Sequence, residues 1–232
     1  MKLLKRAYSL AEVVVSISVL IVITAMIIPT VKRALPDTDA IKFKQVYQGT
    51  LTTIRTLISD AYVYPDVRGF ADTSETTDAL GVTYSGNSKF SDFFISKLNV
   101  VKDNINTGTG KFAYGVNEAG VQSEANAFDC VKVNTGTVFC LPPDVSMLNP
   151  KKPNSEAKFY IRVYLKEGKT VADYDEKNAY YIAVRSNGRV SLPTKGVNFD
   201  CSDIVGGRMK DRDYKQCLAN ELLSSSAMPQ AK

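Results

Sequence analysis

Residues 6–29 read RAYSLAEVVVSISVLIVITAMIIP, and this stretch decides the architecture that the sequence predicts. From Val13 to Ile28 the run is apolar apart from two serines and one threonine, and with its flanks it approaches the ~20 residues that a helix needs to cross a bilayer. One carboxylate, Glu12, lies just inside the run. Because a charged side chain in hydrocarbon costs roughly 2.5 kcal/mol or more, we expect Glu12 to have a functional partner.

The basic residues before the apolar run leave two ordinary interpretations open. Lys2, Lys5 and Arg6 form the positive start of a secretory signal peptide, or of an uncleaved signal anchor. A secretory signal normally ends in a small-x-small cleavage site, but this run is followed by Pro29 and further basic residues. The small residue, Ala7, precedes the apolar run instead.

A basic leader, a small residue, a glutamate at a fixed distance in sequence after that small residue, and a proline occur together here. In this combination the segment resembles the class III signal of type IV prepilins and type II secretion pseudopilins, over about the first fifth of the chain. The resemblance implies cleavage between Ala7 and Tyr8 by prepilin peptidase, followed by N-methylation of Tyr8. Glu12 stands where the family has its glutamate, and Pro29 where it commonly has a helix-kinking proline. The chain departs from the family by having alanine instead of glycine before the cut and tyrosine instead of phenylalanine after it.

The resemblance implies a function and a set of partners. The chain is expected to be a structural subunit of a type IV pilus or type II secretion pseudopilus, polymerised through its N-terminal helix. Its expected partners are other pilin or pseudopilin subunits, prepilin peptidase and the inner-membrane assembly machinery. It is expected to cross the inner membrane once with its head outside the cytoplasm, and then to enter a periplasmic or cell-surface filament. Glu12 and Pro29 are the expected assembly residues.

The chemistry of Glu12 points to assembly as well. A buried carboxylate needs a cation or hydrogen-bond donors to stay ionised, and cleavage before Tyr8 creates a free α-amino group four residues away. Only one axial offset between neighbouring helices would neutralise both charges. Glu12 is therefore predicted to set the register of assembly.

The pattern after Pro36 predicts the rest of the fold. Apolar residues recur every three or four positions from Phe43 to Ala61, which is typical of an amphipathic helix. We therefore predict an α+β fold with a pilin-like arrangement, in which one long N-terminal helix packs on an antiparallel β-sheet head. A transmembrane helix linked to a separate core helix is the alternative, because Pro29 and Pro36 both disfavour a continuous helix.

This interpretation divides the chain into five parts. The parts are a leader peptide at 1–7, an apolar transmembrane and assembly helix at 8–36, the amphipathic half of the helix at 37–62, a globular α+β head at 63–223, and a tail at 224–232 that is predicted to be disordered.

Short apolar segments bounded by turn residues predict the strands of the head. The predicted strands are Phe112–Val116, Phe128–Val133, Val138–Leu141, Phe159–Leu165, Tyr180–Arg185 and Val190–Leu192. A stripe of Phe90, Phe93, Phe94 and Leu98 predicts one short helix.

The four cysteines form two local pairs. The sequence DCVKVNTGTVFC at 129–140 reads as strand, turn and strand, which places Cys130 opposite Cys140 and predicts a disulfide. The second pair, Cys201 and Cys217, resembles the disulfide-bounded C-terminal loop of many type IV pilins, and this likeness implies a second bond. Disulfides fit a head exported to an oxidising compartment. Zinc is the competing interpretation, although the chain has no C-x₂-C pair and no histidine.

No enzyme is predicted from this sequence. The absence of histidine excludes nucleophile schemes that depend on imidazole. The stretch Gly108–Lys111 resembles a phosphate loop only superficially, because Ile105 and Phe112 stand where that motif needs glycine and serine or threonine. The alternative function, from a different class, is a membrane-anchored extracytoplasmic binding module that does not polymerise.

Cofactors and nucleic acid are not expected either. The chain has a net charge of +5, and its basic residues are interspersed with acidic ones. This pattern is typical of a solvated surface and argues against nucleic-acid binding. Asp173, Asp175 and Glu176 offer closely spaced oxygens, although Lys177 and Asn178 depart from an EF-hand loop. Some pseudopilins hold calcium in a C-terminal loop, so a calcium ion at this position stays an open alternative.

Overall fold

The computed structural model describes residues 38–225 except 109, 127, 153–154, 196–198, 203, 206–207, 210 and 212. The chain divides into two compact units, Met1–Ile41 and Lys42–Lys232. Of the first unit, only the first turn of a helix lies within the described residues. The predicted leader at 1–7 and the predicted transmembrane part at 8–36 lie outside them.

Three α-helices and two 3-10 turns are present in the described part of the chain. Helix α1 spans Thr38–Ile58, α2 spans Lys89–Ser96 and α3 spans Lys215–Ser225. The 3-10 turns are Gly69–Ala71 and Val171–Tyr174. The predicted disordered tail overlaps α3, whose last two residues are Ser224 and Ser225, and residues 226–232 lie outside the described residues.

Twelve short strands make up most of the elements in the described residues. They are β1 Thr76–Thr77, β2 Thr83–Tyr84, β3 Val100–Lys102, β4 Phe112–Val116, β5 Gln122–Ala125, β6 Asp129–Val133, β7 Val138–Leu141, β8 Lys158–Tyr164, β9 Tyr180–Arg185, β10 Val190–Ser191, β11 Ile204–Val205 and β12 Arg208–Met209. All of the strand pairs are antiparallel.

The main sheet has eight strands, with the order β10-β9-β8-β7-β6-β3 and with β4 pairing both β8 and β5. The strands β1 with β2, and β11 with β12, form separate two-stranded hairpins. Strand β8 is central, because β9 lies along one edge while β7 and β4 share the other.

Alternation along β8 explains why the sheet is buried on both faces. Phe159, Ile161 and Val163 point into the larger core, which contains the buried residues of α1 and α2. Tyr160 and Tyr164 point to the opposite face, into a second core that contains both disulfides. A strand buried on both faces reads as a continuous apolar run.

Helix α3 closes the second core through its side chains. The Gln216 side chain is fully buried; its Oε1 accepts a hydrogen bond from the backbone N–H of Tyr181 at 2.6 Å, and its Nε2 donates to the Pro193 carbonyl at 3.2 Å. Cys217 is bonded to Cys201 in the loop after β10, with 5.1 Å between the Cα atoms. The C-terminal helix is therefore fixed to β9 by a hydrogen bond and to the loop by a covalent bond.

The predicted α+β fold with one long N-terminal helix in a pilin-like arrangement is wrong. Most of the elements in the described residues are β-strands, beside three helices, and α1 has 21 residues, ending at Ile58 rather than continuing to residue 62. The helix stops because the Asp60 carboxylate accepts hydrogen bonds from the backbone N–H groups of Tyr62 at 3.0 Å and Val63 at 3.3 Å, which closes a turn. Pro65 follows and cannot donate to a helix.

Among the residues that the structure describes, no helix combines the length and the apolar character that crossing a bilayer requires.

Candidate functional site

Four of the predicted site residues lie outside the described residues. These are the cleavage pair Ala7 and Tyr8, the latter also the predicted methylation site, and the assembly residues Glu12 and Pro29. The structure therefore bears on the head alone.

The structure pairs the four cysteines as the sequence predicts. Cys130 and Cys140 are register partners in β6 and β7, with 4.0 Å between their Cα atoms, and Cys201 is bonded to Cys217. All four side chains are buried, and no free cysteine remains. The bonds hold a hairpin and the C-terminal helix, so their role is structural.

Two of the three acidic residues considered for calcium, Asp173 and Asp175, serve as local caps. The Asp173 carboxylate accepts hydrogen bonds from the backbone N–H groups of Lys169 and Thr170, each at 2.8 Å, and forms a capping box with Thr170. Asp175 accepts a hydrogen bond from the backbone N–H of Asn178 at 2.9 Å. The described residues contain no group of three or more histidine, cysteine or acidic side chains that could hold a metal ion.

One groove in the head has the size of a ligand site. It has a volume of about 340 Å³ and lies between the first half of α1, the end of α2 and the β6–β7 turn. Pockets for small ligands usually measure about 300–1,000 Å³. We call this cavity the α1 groove.

The floor of the α1 groove is apolar and ordered. Phe94 from α2 and Phe139 from β7 are buried and lie with their ring centroids 6.0 Å apart, and Val133 from β6 adds to the same surface. At one end the backbone N–H of Asn134 donates to the Asn99 carbonyl at 3.2 Å, which joins the β6–β7 turn to the segment after α2.

The β6–β7 turn that borders the groove has the geometry expected from its sequence. Val133 N–H donates to the Thr137 carbonyl at 2.9 Å, and Gly136 N–H donates to the Val133 carbonyl at 2.9 Å. Gly136 has a φ of 82°, a conformation in which a side chain is strained. The turn is therefore a fixed wall of the groove.

The polar groups of the groove are two lysines, four threonine hydroxyls and three side-chain amides. Lys42 and Lys97 lie at its rim, both exposed, and the lining contains no acidic residue. The Lys97 ammonium lies 4.6 Å from the centroid of the Phe93 ring. Thr50 on α1 is 3% exposed, and its Oγ1 has no hydrogen-bond partner among the described residues. The groove is suited to an apolar ligand that also carries negative charge.

Comparisons of the chain with family models, with curated proteins and with solved structures find no match. The properties of the head are therefore argued from its own residues.

A buried ion pair fixes the start of α2. Lys89 and Asp72 are each about 1% exposed, and Lys89 Nζ lies 3.0 Å from Asp72 Oδ2. The same ammonium donates to the Ser74 carbonyl at 3.0 Å, and Arg68 contacts the other carboxylate oxygen at 3.1 Å. Burial raises the pKa of Asp72, but hydrogen bonds from Ser74 and Lys89 outweigh it and hold the pKa below its ordinary value.

A second buried cation, Arg162, lies on the opposite face of the sheet. Its guanidinium carbon is 3.7 Å from the Phe112 ring centroid and 4.4 Å from that of Phe128. Within the described part of the chain no carboxylate pairs with it, and its Nε and Nη1 have no acceptor. Stacking on aromatic faces stabilises a desolvated cation, so this arrangement is a core contact.

Sequence reasoning did not find the groove or the buried pair. The groove combines segments separated by dozens of residues, so no local pattern predicts it. Gly49 is a glycine in the interior of an amphipathic helix pattern, where it is tolerated at a cost relative to alanine.

Proposed function

We propose that this chain is a structural subunit of a type IV pilus or a type II secretion pseudopilus. In this proposal prepilin peptidase cuts between Ala7 and Tyr8, Tyr8 is N-methylated, and the subunit polymerises through its apolar N-terminal segment. The observation that carries the proposal is the stretch 6–29, with its basic leader, small residue, single glutamate and proline. In this proposal the role of the subunit is mechanical rather than catalytic.

The position of Glu12 supports polymerisation over simple anchoring. A lone carboxylate in an apolar segment is costly unless a cation lies nearby. Cleavage after Ala7 supplies that cation as the new α-amino group, on the same chain or on a neighbouring one. A passive anchor has no use for such a pair, so Glu12 is assigned to registering subunits against one another.

The two disulfides support export of the head. Disulfides form and persist in oxidising compartments and are rare in the cytosol. The sequence 130–217 contains all four cysteines, and each is bonded. We therefore propose that the head lies outside the cytoplasm, first at the inner membrane and then in a periplasmic or cell-surface filament. Its proposed partners are other pilin or pseudopilin subunits, prepilin peptidase and the inner-membrane assembly machinery.

The α1 groove favours a second candidate function. A membrane-anchored extracytoplasmic binding module would use the N-terminal segment only as a tether, and the groove would hold its ligand. The cavity volume and the apolar floor agree with this alternative.

Cell fractionation tests the proposed function. The chain is expected in pelleted filaments, obtained from sheared cells for a pilus or from periplasmic extracts for a pseudopilus. A strain lacking prepilin peptidase is the control and should leave the chain in the membrane fraction. Recovery of the chain only as single membrane-bound copies, in cells with an active peptidase, would contradict polymerisation and favour the binding module.

A further inference from the structure

Gly49 has no role inside the chain that explains a glycine. It lies in the interior of α1, where glycine costs about 0.5–1 kcal/mol relative to alanine. A Cβ atom added at Gly49 would have no heavy atom within 4 Å, so close internal packing does not require its absence. Gly49 lines the α1 groove. The missing side chain therefore keeps space open for something that approaches from outside.

The groove also specifies the charge of its occupant. Neither Lys42 nor Lys97 forms an ion pair with a residue that the structure describes, and the lining has no acid. The Thr50 hydroxyl in the lining has no hydrogen-bond partner among the described residues. Charged groups at a rim select a partner of opposite potential, so the occupant is apolar at its tip and acidic around it.

The same chain exposes apolar side chains in the segment from residue 62 to residue 82. Four of the eight large apolar side chains that are exposed in the described part of the chain fall between residues 62 and 82, and Leu80 and Val67 are 85% and 84% exposed. Within residues 60–84 the exposed carboxylates are Asp66, which pairs with Arg68 at 2.6 Å, and Glu75, whereas Asp72 and Asp78 are buried. Clustered exposed apolar side chains rimmed by charge mark interaction sites.

The β1–β2 hairpin presents Leu80 in a fixed conformation. Asp78 Oδ1 accepts hydrogen bonds from the backbone N–H groups of Leu80 and Val82, each at 2.9 Å, and Gly81 N–H donates to the Asp78 carbonyl at 3.0 Å. The hydrogen bond from Val82 is the largest effect on the Asp78 carboxyl, and despite some burial its pKa is lowered. An apolar side chain held in water by an ordered turn is preorganised for docking.

We propose that the α1 groove of one copy receives the Leu80 hairpin of a second copy. Leu80 and Val82 fill the apolar space above Gly49, while the exposed Glu75 carboxylate faces the lysines at the rim. The contact joins two different surfaces of the same chain. This proposed contact rests on the proposed function only because it takes a second copy of the chain as the partner. In a filament it would add a contact between heads to the assembly through the N-terminal segment.

Cross-linking between two differently tagged full-length chains in mild detergent tests the contact. One chain carries Gly49→Cys and the other Leu80→Cys, and the mixture is oxidised. The expected product is a mixed dimer, several-fold more abundant than either self-linked dimer. Val121→Cys replaces Leu80→Cys in the matched control, since Val121 is 59% exposed but lies before β5. Equal yields from Leu80→Cys and Val121→Cys would overturn the proposal and assign the groove to another occupant.

A second variant tests whether the groove itself is used. Gly49→Leu fills the space, and linking of Thr53→Cys to Leu80→Cys should then fall several-fold, whereas Gly49→Ala should leave it unchanged. Both variants should unfold at or above the wild-type temperature, because each removes a helix-interior glycine. Unchanged linking in Gly49→Leu would contradict docking in the groove.

The outcomes for the contact and for the proposed function are separable. If filaments form and no mixed cross-links are found, the proposed function stands and the head contact is contradicted. If mixed cross-links form but the chain never enters filaments, the contact is supported and the proposed function is contradicted.

Discussion

Glu12→Leu is expected to abolish or sharply reduce filament formation while the chain is still made, inserted and cut after Ala7. The substitution lowers the cost of placing the segment in the membrane, so the single subunit tolerates it. During assembly the α-amino group of Tyr8 would enter an apolar environment without a counter-charge. A cost of roughly 2.5 kcal/mol corresponds to a factor of roughly 60 for each added subunit.

The Glu12 experiment measures processed subunit in the membrane fraction and filaments in the pelleted fraction of one strain without a wild-type copy. Glu12→Gln should behave like Glu12→Leu, because both lack the negative charge. Ser16→Leu is the matched control; it makes the segment more apolar, retains the carboxylate and should assemble normally. Normal filament yield from Glu12→Leu would show that the carboxylate does not register assembly.

Lys89→Met is expected to lower the free energy of unfolding of the head by about 3 kcal/mol. Removing one partner of a buried ion pair leaves the other charge poorly compensated, at a typical cost of about 3–5 kcal/mol. The expected loss lies at the lower end because Arg68 still contacts Asp72 at 3.1 Å. Urea unfolding of the full chain in mild detergent, followed by circular dichroism, measures the change.

Two controls define the origin of that loss. Lys152→Met removes a surface pair with Glu118, in which Lys152 is 68% exposed, and should cost less than about 1 kcal/mol. The pKa of Asp72 is lower in the folded head than the ordinary carboxyl pKa of 3.8. The ionised carboxylate therefore contributes to the free energy of unfolding at pH values above 3.8, and this contribution is lost as the pH falls below 3.8. The difference between wild type and Lys89→Met should therefore shrink in acid. Equal losses from Lys89→Met and Lys152→Met would refute the buried pair as a stabilising contact.

Local patterns predicted six of the twelve strands that the structure describes. The ranges predicted for β4, β7 and β9 match the structure to the residue, and Cys130 lies opposite Cys140 as the turn at Asn134 to Gly136 requires. These predictions depend only on apolar segments bounded by turn residues, and both signals lie within about ten residues. Short strands and a hairpin disulfide of this kind depend on residues that are close together in the sequence.

The predicted fold class is wrong, and within the described residues the error lies in the length given to the amphipathic helix. The apolar run and the amphipathic pattern were read as one helix, and the amphipathic pattern was extended to Ala61. The described helix ends at Ile58, and Ala61 is exposed beyond the Asp60 turn. An Asx turn is a side-chain contact with the backbone that helical spacing does not reveal.

Long-range features were beyond the reach of sequence patterns. Burial of Lys89 depends on Asp72, seventeen residues earlier, and lysine is normally expected at the surface. The α1 groove depends on three segments that meet only in the folded chain. Strands β1 and β2 have two residues each, too few for an alternating pattern to be recognised.

Mass spectrometry of the native N-terminus tests the central claim, that this chain is a processed filament subunit. The chain is isolated from cells with an active prepilin peptidase, digested without chemical blocking of its amino groups, and its first peptide is sequenced. The account predicts a peptide that begins at Tyr8 and carries a methyl group on its α-amino nitrogen. An intact Met1, or a first residue that follows a cut after Thr24 or later, would contradict it.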